Sequence, residues 1–211
     1  MNGRLRSIAA LALLGACGSG VPLPFVTADF AIRCDELAGV CGNDARSFAD
    51  IAGFSGQDGL TLACEVVTLE EDATRLDLSI GVDTGVAVGQ VDISNARLGS
   101  GCATEDGCAP VGDTCETFVQ DDDNSFAGTC GADAPTAEVP CQLFEVRYCQ
   151  VEGDPAVQAR LRCAGLRGDV NPALIREITA SGFTNQDSPM RFRITDCSGL
   201  ESLTLPPCPS I

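Results

Sequence analysis

The sequence predicts a mainly β chain, a disulfide-rich, antiparallel β-sandwich-like body with room for two similar β units flanking a small cysteine-rich module. Three observations carry this expectation. Apolar residues recur at every second position in several segments, the period of a strand with one buried face. Gly, Asp and Pro punctuate those segments. Thirteen cysteines are spread through 211 residues. That many cysteines need an oxidising compartment, where each closed bridge contributes about 2 to 4 kcal/mol. No Cys-x-x-Cys occurs, so neither a thioredoxin-like redox pair nor a zinc ribbon is expected. The thiols read as structural, with no metal and no cofactor.

The amino terminus explains the odd cysteine. Arg4 and Arg6 precede an unbroken apolar run from Ile8 to Leu14, then small residues and Cys17. This is the order of a secretory signal, and the run is far short of the roughly 20 residues that span a bilayer. Leu14-Gly15-Ala16-Cys17 resembles the lipobox of bacterial lipoproteins. The resemblance implies cleavage after residue 16, a diacylglyceryl thioether on Cys17, and acylation of the new amino terminus by a chain such as palmitate. Setting Cys17 aside leaves twelve cysteines, an even set as closed bridges require: Cys34, Cys41, Cys64, Cys102, Cys108, Cys115, Cys130, Cys141, Cys149, Cys163, Cys197 and Cys208. Gly18 follows Cys17 where an inner-membrane retention signal would have Asp. The expected location is therefore the outer membrane of a Gram-negative bacterium, on its periplasmic face or the cell surface, with the membrane a partner through the lipid.

Charge narrows the functional classes. From Cys17 onward the chain carries eleven arginines against thirty acids, a formal charge of −19. Nucleic acid is excluded as a general partner, because binding it needs cationic side chains to neutralise phosphates. The imbalance is uneven: residues 18–140 hold 22 acids and four arginines, residues 141–211 eight acids and seven arginines. The chain has no His, Lys or Trp and one tyrosine, Tyr148. Ser-His-Asp and Cys-His nucleophiles, His-bound zinc, Schiff-base lysines and the P-loop lysine all need residues it lacks. Carboxylate-pair glycoside hydrolysis is the one untainted catalysis, and without Trp there is little for sugar stacking. No catalytic residue is assigned.

In chain order, 17–24 is the lipidated cysteine and a short tether, 25–101 a β region, 102–131 a four-cysteine module and 132–211 a second β region. Ala28, Phe30, Ile32 and Cys34 alternate against Asp29, Ala31 and Arg33. Residues 35–59 read as a stapled loop with a helical turn over 45–51. Leu60 to Leu69, which carries Cys64, is apolar on both faces apart from Glu65 and the threonines, as a central strand would be. Leu76, Leu78, Ile80 and Val82 share a face, and a change of parity between Val88 and Val91 predicts a bulge at Gly89-Gln90. Beyond the module, Phe144, Val146 and Tyr148 alternate against Glu145 and Arg147, and Val157, Ala159, Leu161 and Cys163 against Gln158, Arg160 and Arg162. Asn171-Pro172 and Gly182 bracket a short helix over 173–180, with a strand through Ile178 as the alternative. Met190, Phe192 and Ile194 against Arg191 and Arg193 make the last strand.

The segment 101–130 has few large apolar residues and would be ordered only by its bridges. Its run of Cys102, Cys108, Cys115 and Gly128-x-Cys130 resembles the small four-cysteine modules of the Dickkopf or EB type. The resemblance implies pairing of Cys102 with Cys115 and of Cys108 with Cys130. Asp121 to Asn124 fail the register of a calcium loop and read as a solvated acidic loop. If the middle four cysteines close among themselves, three remain before them and five after. At least one bridge must then join the first region to the last.

Arg160 and Arg162 share one strand face, Arg191 and Arg193 another. If those strands are neighbours, the four form a basic patch suited to carboxylates, sulfated glycans or an acidic protein, unless cross-strand acids pair with them. The expected function is a membrane-anchored binding or adhesion module for a protein or glycan ligand. The alternatives are an accessory subunit of a cell-envelope complex and a carboxylate-based hydrolase.

Overall fold

Eleven strands form one sheet in the computed structural model of the chain, which describes residues 24–34, 46–70, 73–112, 115–121, 124–168, 175–179 and 189–210. Cys17, Cys41, the leader and most of the tether lie outside the described residues, as does the side chain of Cys34. The strands are β1 (Phe25–Cys34), β2 (Arg46–Phe54), β3 (Leu60–Thr68), β4 (Thr74–Asp83), β5 (Val88–Leu98), β6 (Cys115–Asp121), β7 (Asn124–Gly131), β8 (Cys141–Val151), β9 (Asp154–Gly168), β10 (Ile175–Thr179) and β11 (Met190–Thr195). The hydrogen-bonded order runs β10-β1-β11-β9-β8-β7-β6-β5-β4-β3, with β2 on the free side of β1. Pairing is antiparallel except where Cys130 and Gly131 run parallel to Cys141 and Gln142. The strands β10 and β11 act as two halves of one line. They lie between β1 and β9, β10 against Ala31 to Cys34 and β11 against Val26 to Asp29.

The alternation seen in the sequence fills one core. Leu76, Leu78, Ile80 and Val82 are buried, as are Val157, Ala159, Leu161 and Cys163, and Met190, Phe192 and Ile194. A sheet this wide buries one face only by curling back on itself. Three contacts show the curl. Thr74 of β4 hydrogen-bonds Tyr148 of β8 at 2.6 Å. The Phe48 ring of β2 occupies the place a side chain on Gly89 of β5 would take. Where β2 runs into β3, the Leu62 amide donates to the Ser55 hydroxyl at 3.1 Å.

Leu60 to Leu69 is an edge in this order, not the centre. Its outer edge is instead covered by the tail: the Val66 amide donates to the Ser198 carbonyl at 2.8 Å and the Ser198 amide to the Cys64 carbonyl at 3.1 Å. The Cys64–Cys197 bridge fixes that cover, with the Cα atoms 4.8 Å apart. Covering removes a row of unpaired backbone groups that would otherwise template aggregation. Gly199 is required there, because its φ of 88° is left-handed and a Cβ would collide with the Val66 carbonyl.

Several expectations are corrected. Residues 46–54 form β2, not a helical turn, because Phe48 packs on Phe30 with ring centroids 4.9 Å apart. The bulge of β5 lies at Asn95, not at Gly89-Gln90. Asn95 takes a φ of 54°, its amide donates to the Asp77 carboxylate at 2.8 Å, and the buried set shifts from Val91 and Ile93 to Ala96 and Leu98. A second bulge, at Glu145 with φ 51°, turns Phe144 outward while Leu143, Val146 and Tyr148 stay inside. Ile175–Thr179 is a strand rather than a helix, since it completes the line between β1 and β9.

The four-cysteine segment pairs differently from what its resemblance implies: Cys102 with Cys108, and Cys115 with Cys130. The reasons are local. A turn in which the Thr104 amide bonds the Gly101 carbonyl and the Gly107 amide bonds the Thr104 carbonyl brings Cys108 back to Cys102. Cys115 and Cys130 face each other across the β6–β7 hairpin. Bridges do not order this segment alone, because Val119 and Phe126 are fully buried. Cys141–Cys163 staples β8 to β9, and Cys149–Cys208 holds the tail.

Burial pushes the single tyrosine, Tyr148, up to about 12, with the Thr74 hydrogen bond offsetting part of the shift. A raised acid favours the neutral phenol in the fold, so its contribution is complete below the unfolded value near 10 and is lost as pH climbs toward 12. Titration of tyrosinate absorbance should give a native midpoint near 12 and, in denaturant, one near 10. Equal midpoints would contradict the buried placement.

Candidate binding face

The pairing register decides what the arginines do. Arg191 of β11 stands directly opposite Arg160 of β9, and Arg193 opposite Gln158. On the far side of β9, Phe144 faces Arg160, Gln142 faces Arg162 and Arg147 faces Gln158. Because Leu161, Phe192 and Val146 point inward, Arg147, Arg160, Arg162, Arg191 and Arg193 share the outer surface of three adjacent strands. The four arginines singled out from the sequence are thus brought together. Arg147 joins them, unnoticed because only the register places it beside Gln158.

Acids flank the cluster without cancelling it. Glu145, pushed outward by its bulge, lies 3.2 Å from Arg160 and 3.8 Å from Arg147. Asp29 of β1, opposite Arg191, lies 3.9 Å from it. These partly exposed pairs are worth about 0 to 1 kcal/mol each and leave the guanidinium edges open to exchange partners. Among the described ion pairs of this face, two acids stand against five arginines, a local excess of positive charge on a strongly negative chain. Neutral groups hold Arg162 and Arg193, and one also holds Arg147. Arg162 donates to Gln142 at 2.7 Å and lies 5.9 Å over the Phe144 ring. Arg193 donates to Gln158 and to the Pro209 carbonyl, and Arg147 donates to the Glu105 carbonyl. Partial burial pulls the Arg193 guanidinium below its ordinary value, and it stays charged at any physiological pH.

Comparison with family models, curated proteins and solved structures finds no match. The chemistry of the face therefore rests on its own residues. Neutral holders fix the orientation of the guanidinium groups, so ordering them on a ligand costs little rotamer entropy. Planar forks at strand spacing suit carboxylate or sulfate groups repeated along a chain.

The acids occupy a different surface. The outer face of β3, β4 and β5 forms an open groove of ≈ 470 Å³ that includes Glu65, Asp77, Asp92, Ser79 and Ser198. Asp77 accepts from Arg75 at 2.7 Å and from the Asn95 amide, and Asp92 accepts both bonds of the Gln90 side-chain amide. The expected solvated loop at Asp121 is also corrected. Asp121 is the last residue of β6 and is buried against Arg176 of β10 at 3.0 Å, the side chains 5% and 8% exposed. Arg176 lies in turn 5.3 Å over the Phe126 ring. Asp122 and Asp123 lie outside the described residues.

Removing one partner of a buried pair costs far more than removing one of an exposed pair, so Asp121→Asn should lower stability by about 3 kcal/mol or more. At the exposed bridge, Glu145→Gln should cost under about 1 kcal/mol. Urea unfolding of the two variants measures both, and equal losses would contradict the burial.

Proposed function

We propose that this chain is an exported, lipid-anchored binding module whose arginine face receives an anionic ligand. The observation that carries the reading is the direct apposition of Arg160 and Arg191, extended by Arg162, Arg193 and Arg147 on the same outer surface. Placing like charges opposite one another destabilises a sheet. Arg75 and Arg97 are opposed in the same way on β4 and β5, where Asp77 bonds Arg75; what sets this face apart is the gathering of five guanidinium groups, which an outside anion completes while Glu145 and Asp29 hold Arg160 and Arg191. A carboxylated or sulfated glycan, or an acidic protein segment, has the matching chemistry. Five bridges among the described cysteines support life outside the cytoplasm. The lipobox-like Leu14-Gly15-Ala16-Cys17 supports anchoring, at the outer membrane by the Gly18 argument. Asp77 and Asp92 of the acidic groove are engaged by Arg75, the Asn95 amide and Gln90, which weighs against their serving as the acid and base of a hydrolase.

The test uses heparin as a sulfated probe and the full chain in detergent. Binding should fall at least tenfold in an Arg160→Gln, Arg162→Gln, Arg191→Gln triple variant, with a shallower salt dependence, and should survive Arg97→Gln on β5. Equal loss in both variants, or no loss in the triple variant, would overturn the assignment of the face.

A further inference from the structure

The root of the tether carries an apolar feature that the arginine face does not use. Phe25, the first residue of β1, stacks edge-on against Phe54, the last of β2, with ring centroids 5.0 Å apart. Neither ring belongs to the core, and Phe54 is 43% exposed. The Ser55 amide donates to the Pro24 carbonyl at 2.9 Å, so the turn after β2 is fastened to the point where the tether enters the fold. That turn in turn abuts the one after β4, through the Asp83 amide and the Gly59 carbonyl. At the tip of the second turn stands Val86, 91% exposed, the most exposed large apolar residue described.

We propose that this end, Phe25 and Phe54 with Val86 beside them, seats on the interfacial layer of the bilayer that holds the anchor, and so orients the domain. The inference rests on the anchored reading. Cys17 to Pro24 spans seven residues, at most about 25 Å fully extended, so an acylated Cys17 keeps the start of β1 within about 25 Å of the membrane surface and makes this end of the domain the one that meets it. Exposed apolar side chains such as Phe and Val gain by burial at the headgroup–acyl boundary, as they do on the apolar face of interfacial helices. Asp58 and Asp83 border the turns, and the chain is strongly acidic, so the fitting surface is zwitterionic and the contact shallow.

The chain has no Trp, so a single introduced one reports its own surroundings. Phe54→Trp, Val86→Trp and Val111→Trp variants of the full protein are placed in phosphatidylcholine vesicles carrying bromine near the headgroup or deep in the acyl region. Val111 is 54% exposed and bonds the Arg97 carbonyl, at the far end of β5 from the Val86 turn, roughly 30 Å away at about 3.3 Å per residue. Shallow bromines should quench Trp at 54 and 86 at least twofold, deep bromines less, and neither should quench Trp at 111. Equal quenching at all three positions, or none at 54 and 86, would overturn the orientation. Intact mass of the same samples separates this from failure of the anchor: an unacylated protein still beginning at Met1 overturns both readings, whereas an acylated one with unquenched Trp at 54 overturns the orientation alone.

Discussion

Closure of one wide sheet around one core is the constraint on which the other features depend. An open sheet of eleven strands would leave either its apolar face or its edges in water. Here the curl buries the face, and the tail covers the remaining edge of β3 through Cys64–Cys197. That bridge closes a span of 133 residues, the longest of the five described, and in the chain-entropy account contributes about 5 kcal/mol. The six-residue span of Cys102–Cys108 contributes about half as much. The long bridge therefore contributes more to global stability, while the short one shapes a turn.

Closure also separates charge by surface. The outer faces of β3 to β5 carry Glu65, Asp77 and Asp92 with Arg75 and Arg97 among them, whereas β8, β9 and β11 carry five arginines with Glu145. A chain with a formal charge of −19 from Cys17 onward repels most anions at long range. Screening cuts that repulsion within about 8 Å at physiological salt, so a local cationic face still governs contact. Such a face favours ligands that present closely repeated anionic groups over isolated small anions. Anchoring would add to the selection, because tethering fixes which ligands come near at all.

Much of this was legible in the sequence, for identifiable reasons. Alternation at Leu76 to Val82, Val157 to Cys163 and Met190 to Ile194 survives because each of those stretches has one buried face. Cysteine parity required a bridge from the first region to the last, and Cys64–Cys197 is one. What the sequence hid was register. The bulges at Asn95 and Glu145 use non-glycine residues at positive φ, so no glycine marked them, and the second reverses the face of Phe144. Asp121 looked solvated because its partner, Arg176, lies 55 residues away. Likewise Leu60 to Leu69 looked like a central strand, but only Leu60, Leu62 and Val66 are buried while Thr61, Ala63 and Glu65 stay exposed, so its apolar composition did not report its place in the sheet. The arginine face was half visible: composition supplied Arg160, Arg162, Arg191 and Arg193, but only the β9–β11 pairing made them neighbours.

The closure itself is tested most directly by mapping the bridges of the unreduced, thiol-blocked protein through proteolysis and mass spectrometry. The account predicts a peptide containing Cys64 joined to one containing Cys197, and Cys115 joined to Cys130. A Cys64 peptide linked within residues 25–101, or Cys115 linked to Cys102, would contradict it.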